Sequence, residues 1–401
     1  MSTKTVKRAF KFRFYPTAEQ ESELLRTWGC VRLVYNRALD LRTQSWYKEQ
    51  RRVSYNETCT ALTQWKREDD LAFLNEVSSI PLQQSLRRLQ TAFVNFFEKR
   101  ARYPKFKSKR KSKLSLQYSA TGFRFDNEGR LRIAKMSEPL DIAFSQSFPL
   151  DTCKTIVISR DSAHRWFVSF TCEDEIEQRQ VTGKTVGVDL GVKDVLVLST
   201  GEKINPDDQF EVKKKLNTIK RRQRQLSRKA KGSQNREKAK LKLARAHANL
   251  TDAKRDWIHK VTTDLVQRFD VISIEDLNVR GMTSAVAGKG RKAKAGLNRG
   301  IMQSSFGEIR RMLEYKADWY GGEVVAIDRY FPSTKLCSNC GTVTESKPLS
   351  VRFWKCDCGT VHDRDVNAAK NINAAGLAVY ACGDGVRPAK KPIASSAGSR
   401  R

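Results

Sequence analysis

Two sets of residues have the types and spacing to hold metal. Cys337 and Cys340 are spaced C-x-x-C and Cys356 and Cys358 C-x-C, with fifteen residues between the pairs. Four thiolates around one Zn2+, at about 2.3 Å per bond, make a closed tetrahedral site with no open position for substrate, so its chemistry is structural. Gly341 and Gly359 follow the pairs and suit the tight turns of a zinc knuckle. The segment between the pairs can form a hairpin. Residues two apart on a strand face the same side, so Cys356 and Cys358 can both ligate. His362 is the substitute ligand if Cys356 cannot reach. Cys30, Cys59, Cys153, Cys172 and Cys382 are scattered and read as ordinary buried thiols.

The second set offers oxygen. Asp189 sits inside the apolar stretch "TVGVDL", where a carboxylate is costly unless paired or bound to metal. Glu275 ends the apolar stretch "VISIE". Asp365 heads an apolar-periodic run through Val366, Ala369 and Ile372, at a helix start where the macrodipole tolerates negative charge. Asp363 competes with Asp365, and Asp194 and Asp276 read as supporting acids. Three carboxylates at element ends can converge at the edge of an α/β sheet. Hard oxygen ligands with open water positions suit Mg2+. Two such ions about 4 Å apart can activate a water and stabilise the leaving oxygen of a phosphodiester. The expected reaction is metal-dependent phosphodiester hydrolysis.

The elements that must position these residues can be read from patterning. The chain has 401 residues, 76 Lys and Arg against 44 Asp and Glu, and a formal net charge of +32. Self-repulsion on that scale points to a polyanionic partner, nucleic acid first, and away from an enzyme of small metabolites. "VKRAFKFRFY" alternates Phe10, Phe12 and Phe14 with Lys11 and Arg13, as a half-buried strand with a basic outer face does. Pro16 ends it, and Thr17 with Gln20 has the spacing of a capping box. Residues 17–101 are mostly helical, with stripes Leu24, Trp28, Val31, Val34, Leu39 and Leu86, Leu89, Phe93, Phe96. A basic loop covers 102–113. Five short alternating stretches from "GFRFD" to "RWFVSFTCE" then suggest a small antiparallel β domain that the first strand joins, with the helices as an insertion.

Past residue 180, "KTVGVDLGVKDVLVLSTG" reads as strand, tight Gly turn and strand. Residues 213–255 hold 17 Lys and Arg against Glu237 and Asp252. A solvated helical face would interleave glutamates, so Lys220, Arg221, Arg222 and Arg224 are assigned to nucleic-acid contact. Residues 281–300 read as a Gly-, Ala- and Lys-rich loop, with a helix over 301–320. Residues 383–401 read as a disordered basic tail. No apolar run has membrane-spanning length and the start lacks a signal peptide, so the expected location is cytoplasmic, with no membrane partner.

"GVDLGVKD", "ISIEDLNVRGM", "YFPSTKLCSNCG" and "CDCGTVHDRDVNAAKNI", in this order, resemble the TnpB family of transposon-encoded RNA-guided DNA endonucleases, relatives of the type V CRISPR effectors. "FRFYPT", "VRLVYNRAL" and "LEYKADWYG" extend the likeness over the whole chain. The resemblance implies an α/β multidomain protein. A RuvC-like, RNase H-type nuclease domain would cover 181–331 and 361–382, with a zinc-binding target-binding element at 332–360. A β-barrel wedge domain would cover 1–16 and 102–180 and carry a helical recognition insertion at 17–101. Asp189, Glu275 and Asp365 match the family's D…E…D site, holding two Mg2+, and the four cysteines hold one Zn2+. The implied partners are a guide RNA and double-stranded target DNA beside a short flanking motif. By position, Tyr55, Gln83 and Gln84 resemble the residues that meet that motif. The C-x-C pair departs from the C-x-x-C of many members. A monomer is expected. Two rival functions remain: a nuclease-inactive guide-directed repressor of the same fold, which should have lost a carboxylate, and a DNA transposase that uses the same acidic triad. A zinc-ribbon RNA-binding protein without chemistry leaves Asp189 and Glu275 unexplained.

Overall fold

The computed structural model describes residues 2–206, 210–284, 290–348 and 350–382. Its contacts fall into two compact units, one of residues 5–175 with 222–245 and one of 1–4, 176–221 and 246–401. The basic tail expected over 383–401 lies outside the described residues.

In the first unit, β1 (Thr3–Phe14) buries Phe10, Phe12 and Phe14 and exposes Lys11 and Arg13. The Thr17–Gln20 capping box is present and opens α1 (Ala18–Glu49), a 32-residue helix that buries Leu24, Trp28, Val31, Val34 and Leu39. α2 (Tyr55–Trp65) starts at a second capping box, Ser54 with Glu57. α3 (Ser79–Phe97) buries Leu82, Leu86, Leu89 and Phe93. The strands β2 (Leu114–Ser119), β3 (Phe123–Phe125), β4 (Leu131–Ile133), β5 (Thr155–Arg160) and β6 (Trp166–Glu177) follow. One sheet has the order β1-β6-β5-β2, and β3 pairs with β4 as a separate hairpin. β2 alternates Leu114, Leu116 and Tyr118 inward. It is a strand that the lysine run before it hides from a reading by charge. Phe12, Phe144, Phe148 and Phe170 form one aromatic cluster, with centroids 4.9–6.1 Å apart.

The second unit is a sheet of order β11-β10-β7-β8-β9, built from β7 (Thr185–Asp189), β8 (Leu196–Leu198), β9 (Lys203–Ile204), β10 (Val271–Glu275) and β11 (Glu323–Ile327). β10 runs parallel to both β7 and β11, while β8 and β9 fold back antiparallel. Parallel neighbours need long crossovers, and helices supply them. α4 (Val212–Ser227) has no buried residue. α5 (Gln234–Arg268) buries Trp257, Ile258, Val261, Leu265 and Val266 in its last turns, in the core formed with Val186, Val188, Ile272 and Ile274. The stretch read as a loop over 281–300 is helical from α6 (Arg291–Ser304), because its alanines and lysines are good helix formers. Ser305, at φ 56°, breaks it from α7 (Phe306–Tyr320). The hairpin of β12 (Phe353–Lys355) and β13 (Val361–Asp363) leads into α8 (Arg364–Ala381). Among the described residues no helix is long and apolar enough to cross a membrane.

Candidate active site and metal centre

Asp189 is the last residue of β7 and Glu275 the last of β10. Ile274 pairs with Val188 across parallel strands, so the two carboxylates leave the same end of the sheet side by side. Asp365 lies in the first turn of α8. That helix lies unusually near the sheet. A Cβ on Gly187 of β7 would stand 2.0 Å from the Ala369 carbonyl oxygen and 2.5 Å from the Asn373 amide nitrogen. One on Gly376 of α8 would stand 2.0 Å from Ser273 Oγ in β10. Glycine at both positions allows this approach and sets the first turn of α8 at the sheet edge.

The electrostatics report the convergence. Burial first, then the charges of Glu275 and Asp365, push Asp189 up to about 7. Three carboxylates from three elements thus repel one another at one place, with Arg364 offsetting part of the effect on Asp189. They are spread more widely than the thiols: among the described residues, only the four cysteines bring three or more His, Cys, Asp or Glu ligand atoms within 4.8 Å. Glu275 Oε1 accepts a hydrogen bond from Ser333 Oγ at 2.6 Å. Arg352 Nη1 donates to both oxygens of Asp365, at 2.9 and 3.3 Å.

The competing acids are engaged elsewhere. Asp363 is the N-cap of α8, accepting from the Asp365 and Val366 amides, and pairs with Lys203 at 2.7 Å. Burial alone would raise its carboxyl, but Lys203 and those amides together hold it below the usual range. Asp276 pairs with Arg310 and Arg329, which lower it too. Asp194 accepts from Asn205 Nδ2 at 2.9 Å. Asp365, and not Asp363, is among the charges that act on Asp189. Spacing could not reveal Ser333 and Arg352, whose partners lie on other elements.

The cysteines occupy two turns of like build. Cys337 N–H donates to the Thr342 carbonyl at 3.0 Å and Gly341 N–H to the Cys337 carbonyl at 2.9 Å; Cys356 N–H donates to Thr360 at 2.9 Å and Gly359 N–H to Cys356 at 2.8 Å. Gly341 and Gly359 have φ 75° and 88°, the left-handed region that these turns require. Cys337 Sγ lies 3.8 Å from Cys358 Sγ, and Cys340 Sγ 3.7 Å from Cys356 Sγ. Sulfurs at tetrahedral corners about 2.3 Å from a metal are themselves about 3.8 Å apart, so the quartet fits a structural metal. The Thr360 hydroxyl leads in bringing Cys358 down to about 6 and the Thr342 hydroxyl in lowering Cys340. A backbone N–H near Cys358 favours the Cys356 thiolate, yet burial and the neighbouring thiols push that group up to about 12. Four thiolates cannot share this space without a cation.

Two details differ from the expected knuckle. The C-x-C pair lies in the turn after β12 rather than on a strand, and Cys356 still reaches the quartet. The paired hairpin flanks the second cysteine pair instead of filling the interval between pairs, because the left-handed glycine of each turn reverses the chain at once. Since Cys356 reaches the quartet, the condition for His362 to substitute does not arise; its Nε2 lies 3.0 Å from Cys337 Sγ and its ring packs on Trp354.

On α4, Lys220, Arg221 and Arg224 are exposed, and Arg222 donates to Gln225. None of the four forms a salt bridge among the described residues. Tyr55 opens α2, and its hydroxyl accepts from Arg87 of α3 at 3.1 Å. Gln83 and Gln84 lie in the first turns of α3, Gln83 exposed and Gln84 half-buried.

Three family descriptions match the chain: "Cas12f1-like, TNB domain" at residues 306–372, "Probable transposase" at 168–286 and "Helix-turn-helix domain" at 1–51. In the structure the last region holds β1 and a single long helix. A Streptomyces pristinaespiralis protein named "Putative RNA-guided DNA endonuclease" is 54% identical, over 96% of this chain and 93% of its own. The Escherichia coli K12 protein "Putative RNA-guided DNA endonuclease InsQ" is 36% identical over 96% of each chain. The mixed α/β fold is similar to that in a cryo-EM structure of a Cas12f1–sgRNA–target DNA complex, with TM-score 0.57 and 14% identity over 92% of this chain and 99% of that one. Identity at these levels along nearly the full length of both relatives shows that the chain belongs to the family its motifs resemble, the TnpB family.

Proposed function

We propose that this protein is an RNA-guided DNA endonuclease. It binds a guide RNA from its transposon's end and cuts double-stranded DNA beside a short flanking motif. The observation that carries the reading is the convergence of three acids on one sheet edge: Asp189 and Glu275 close neighbouring parallel strands, and Asp365 lies in the first turn of the helix seated on them. The names of the full-length relatives support the same activity. On this reading residues 181–331 and 361–382 are a RuvC-like nuclease domain and 332–360 its zinc-bearing target-binding element. Residues 1–16 and 102–180 are the wedge domain and 17–101 the recognition insertion. Guide pairing reads the sequence while protein reads backbone and the flanking motif. Lys220, Arg221, Arg222 and Arg224 take the backbone, and Tyr55, Gln83 and Gln84 the motif.

An all-oxygen donor set suits Mg2+ held by Asp189, Glu275 and Asp365, and the thiol quartet suits Zn2+. Bound magnesium supplies Lewis acidity and an acidified water for attack on the phosphodiester. The chain's own part is to hold three carboxylates at fixed points on two strands and one helix. Ser333 holds one oxygen of Glu275, and Arg352 offsets the charge of Asp365.

The test is purification without added nucleic acid, then incubation of any protected RNA complex with matching DNA and Mg2+. Protected RNA with cleavage that Asp189→Ala abolishes is the expected result. Bare protein would favour the transposase reading, and protected RNA with binding but no cleavage the repressor.

A further inference from the structure

We propose that Ser333 is a positioning residue for Glu275, and that it ties this carboxylate to the helix carrying Asp365 and to the entry of the metal knuckle. The proposal rests on the reading of Glu275 as a metal-holding carboxylate. Ser333 Oγ donates its one proton to Glu275 Oε1 at 2.6 Å, which stops the carboxylate from turning about its last torsion. Ser333 is itself buried and held through its backbone. Its N–H donates to the Phe331 carbonyl at 2.8 Å, and its carbonyl accepts from Asn371 Nδ2 at 2.8 Å.

Asn371 belongs to α8, as Asp365 does. The second proton of its amide goes to the Leu336 carbonyl at 2.7 Å. Asn367, one turn earlier on the same face, donates to that carbonyl at 2.7 Å and accepts from Ser338 N–H at 2.9 Å. Both asparagines are buried. Two amides of one helix therefore grip residues 333–338, and that short stretch carries Ser333 at one end and Cys337 near the other. A buried amide that loses such partners leaves unsatisfied polar groups, so the grip is costly to break. Glu275 is thereby referenced to α8 through Ser333 rather than left to its own rotamers.

Groups that orient a ligating carboxylate change metal affinity or activity by about 10- to 100-fold when removed. Ser333→Ala deletes one oxygen and keeps the shape of the site. In the guide-loaded protein we expect cleavage at a fixed Mg2+ concentration to fall by about 10- to 100-fold. Mn2+ affinity, read by calorimetric titration of the same metal-depleted complex, should weaken by a similar factor. RNA retention, target binding and zinc content should match the wild type. Ser333→Thr keeps the hydroxyl and should recover most of both losses. Wild-type Mn2+ affinity and cleavage in Ser333→Ala overturn the proposal, as does a threonine variant no better than alanine. Glu275→Ala separates the two readings. If it cleaves normally, the active-site reading falls. If it is inactive while Ser333→Ala is unaffected, only the role of Ser333 falls.

Discussion

The thiol quartet and the carboxylate edge each gather like ligands at one place, by different routes. Each cysteine pair is shaped by its own turn: a left-handed glycine, a backbone bond to the following threonine carbonyl, and a threonine hydroxyl 3.4 or 3.3 Å from the outer thiol. Residues within a few positions of each ligand set its geometry. The carboxylates come from a strand, a neighbouring strand and a helix that meets both only because Gly187 and Gly376 let it down onto the sheet. No local turn defines them, and Arg352 offsets only the charge of Asp365, so part of their mutual repulsion remains. A site that only has to hold can be closed and satisfied by nearby chain. The carboxylate edge keeps part of its charge uncompensated, and the packing of a whole unit is needed to hold it there.

Four measurements test that contrast. The largest effect is expected at the edge. Asp189→Ala, Glu275→Ala or Asp365→Ala should lower cleavage by about 1000-fold or more and leave guide-directed DNA binding intact. Asp363→Ala should keep most activity, since Asp363 serves as a cap and a partner of Lys203. Full cleavage by Asp365→Ala with loss in Asp363→Ala would reverse the assignment. At the knuckle the order of losses should be the opposite. Cys337→Ser or Cys340→Ser should release the metal and lower Tm by about 10 °C, because a structural site's binding energy is folding energy. About one zinc per chain should be found in the wild type by elemental analysis, and none would end the closed-site reading.

The third concerns the standing repulsion. The folded-state value of Asp189, about 7, lies above the ordinary 3.8. The folded protein therefore holds that proton more tightly than the unfolded chain does. The stability this group contributes is complete below about pH 4 and is lost as pH rises through 7. Without metal, Asp189→Asn should raise stability at pH 8 by about 2 kcal/mol, half of what a shift of this size allows, since the edge is partly open to water. A divalent cation should reverse the ranking. Denaturant midpoints with and without Mg2+ at pH 5 and 8 decide it, and equal stabilities at pH 8 would mean that the repulsion is relieved in another way. The smallest effect is on α4. Changing Lys220, Arg221, Arg222 and Arg224 together to Gln should flatten the log–log salt dependence of RNA binding by about one unit or less per lost phosphate contact. The flanking-motif preference should not move. A changed motif would place motif reading in the wrong region.

Legibility followed the same division. Features written within a few residues could be read directly: the Thr17–Gln20 box, the inward phenylalanines of β1, the cysteine pairs with their glycines, and acids closing apolar strands. Features written across the chain could not. Ser333 and Glu275 are 58 positions apart, and nothing in "FPST" announces the bond. Asn367 and Asn371 have helical spacing, but what they grip is visible only once α8 lies on the sheet. The strand β2 and the helix α6 were obscured for a different reason. A basic run precedes β2 and basic residues open α6, and charge says less about backbone conformation than alternation or helix propensity does.

Gly187 and Gly376 have one more consequence. They act as two notches, one cut in the sheet and one in the helix, and they receive Ala369 with Asn373 and Ser273 respectively. A rod seated at two separate points can neither roll about its axis nor slide along it without lifting out of both. Helix α8 is therefore the datum of the second unit, and residues 333–338, which its asparagines hold, are fixed with it. In hydrogen exchange the amides at the seats, such as Asn373, should open only with global unfolding. Those of the knuckle turns should open on their own and slow when metal is added.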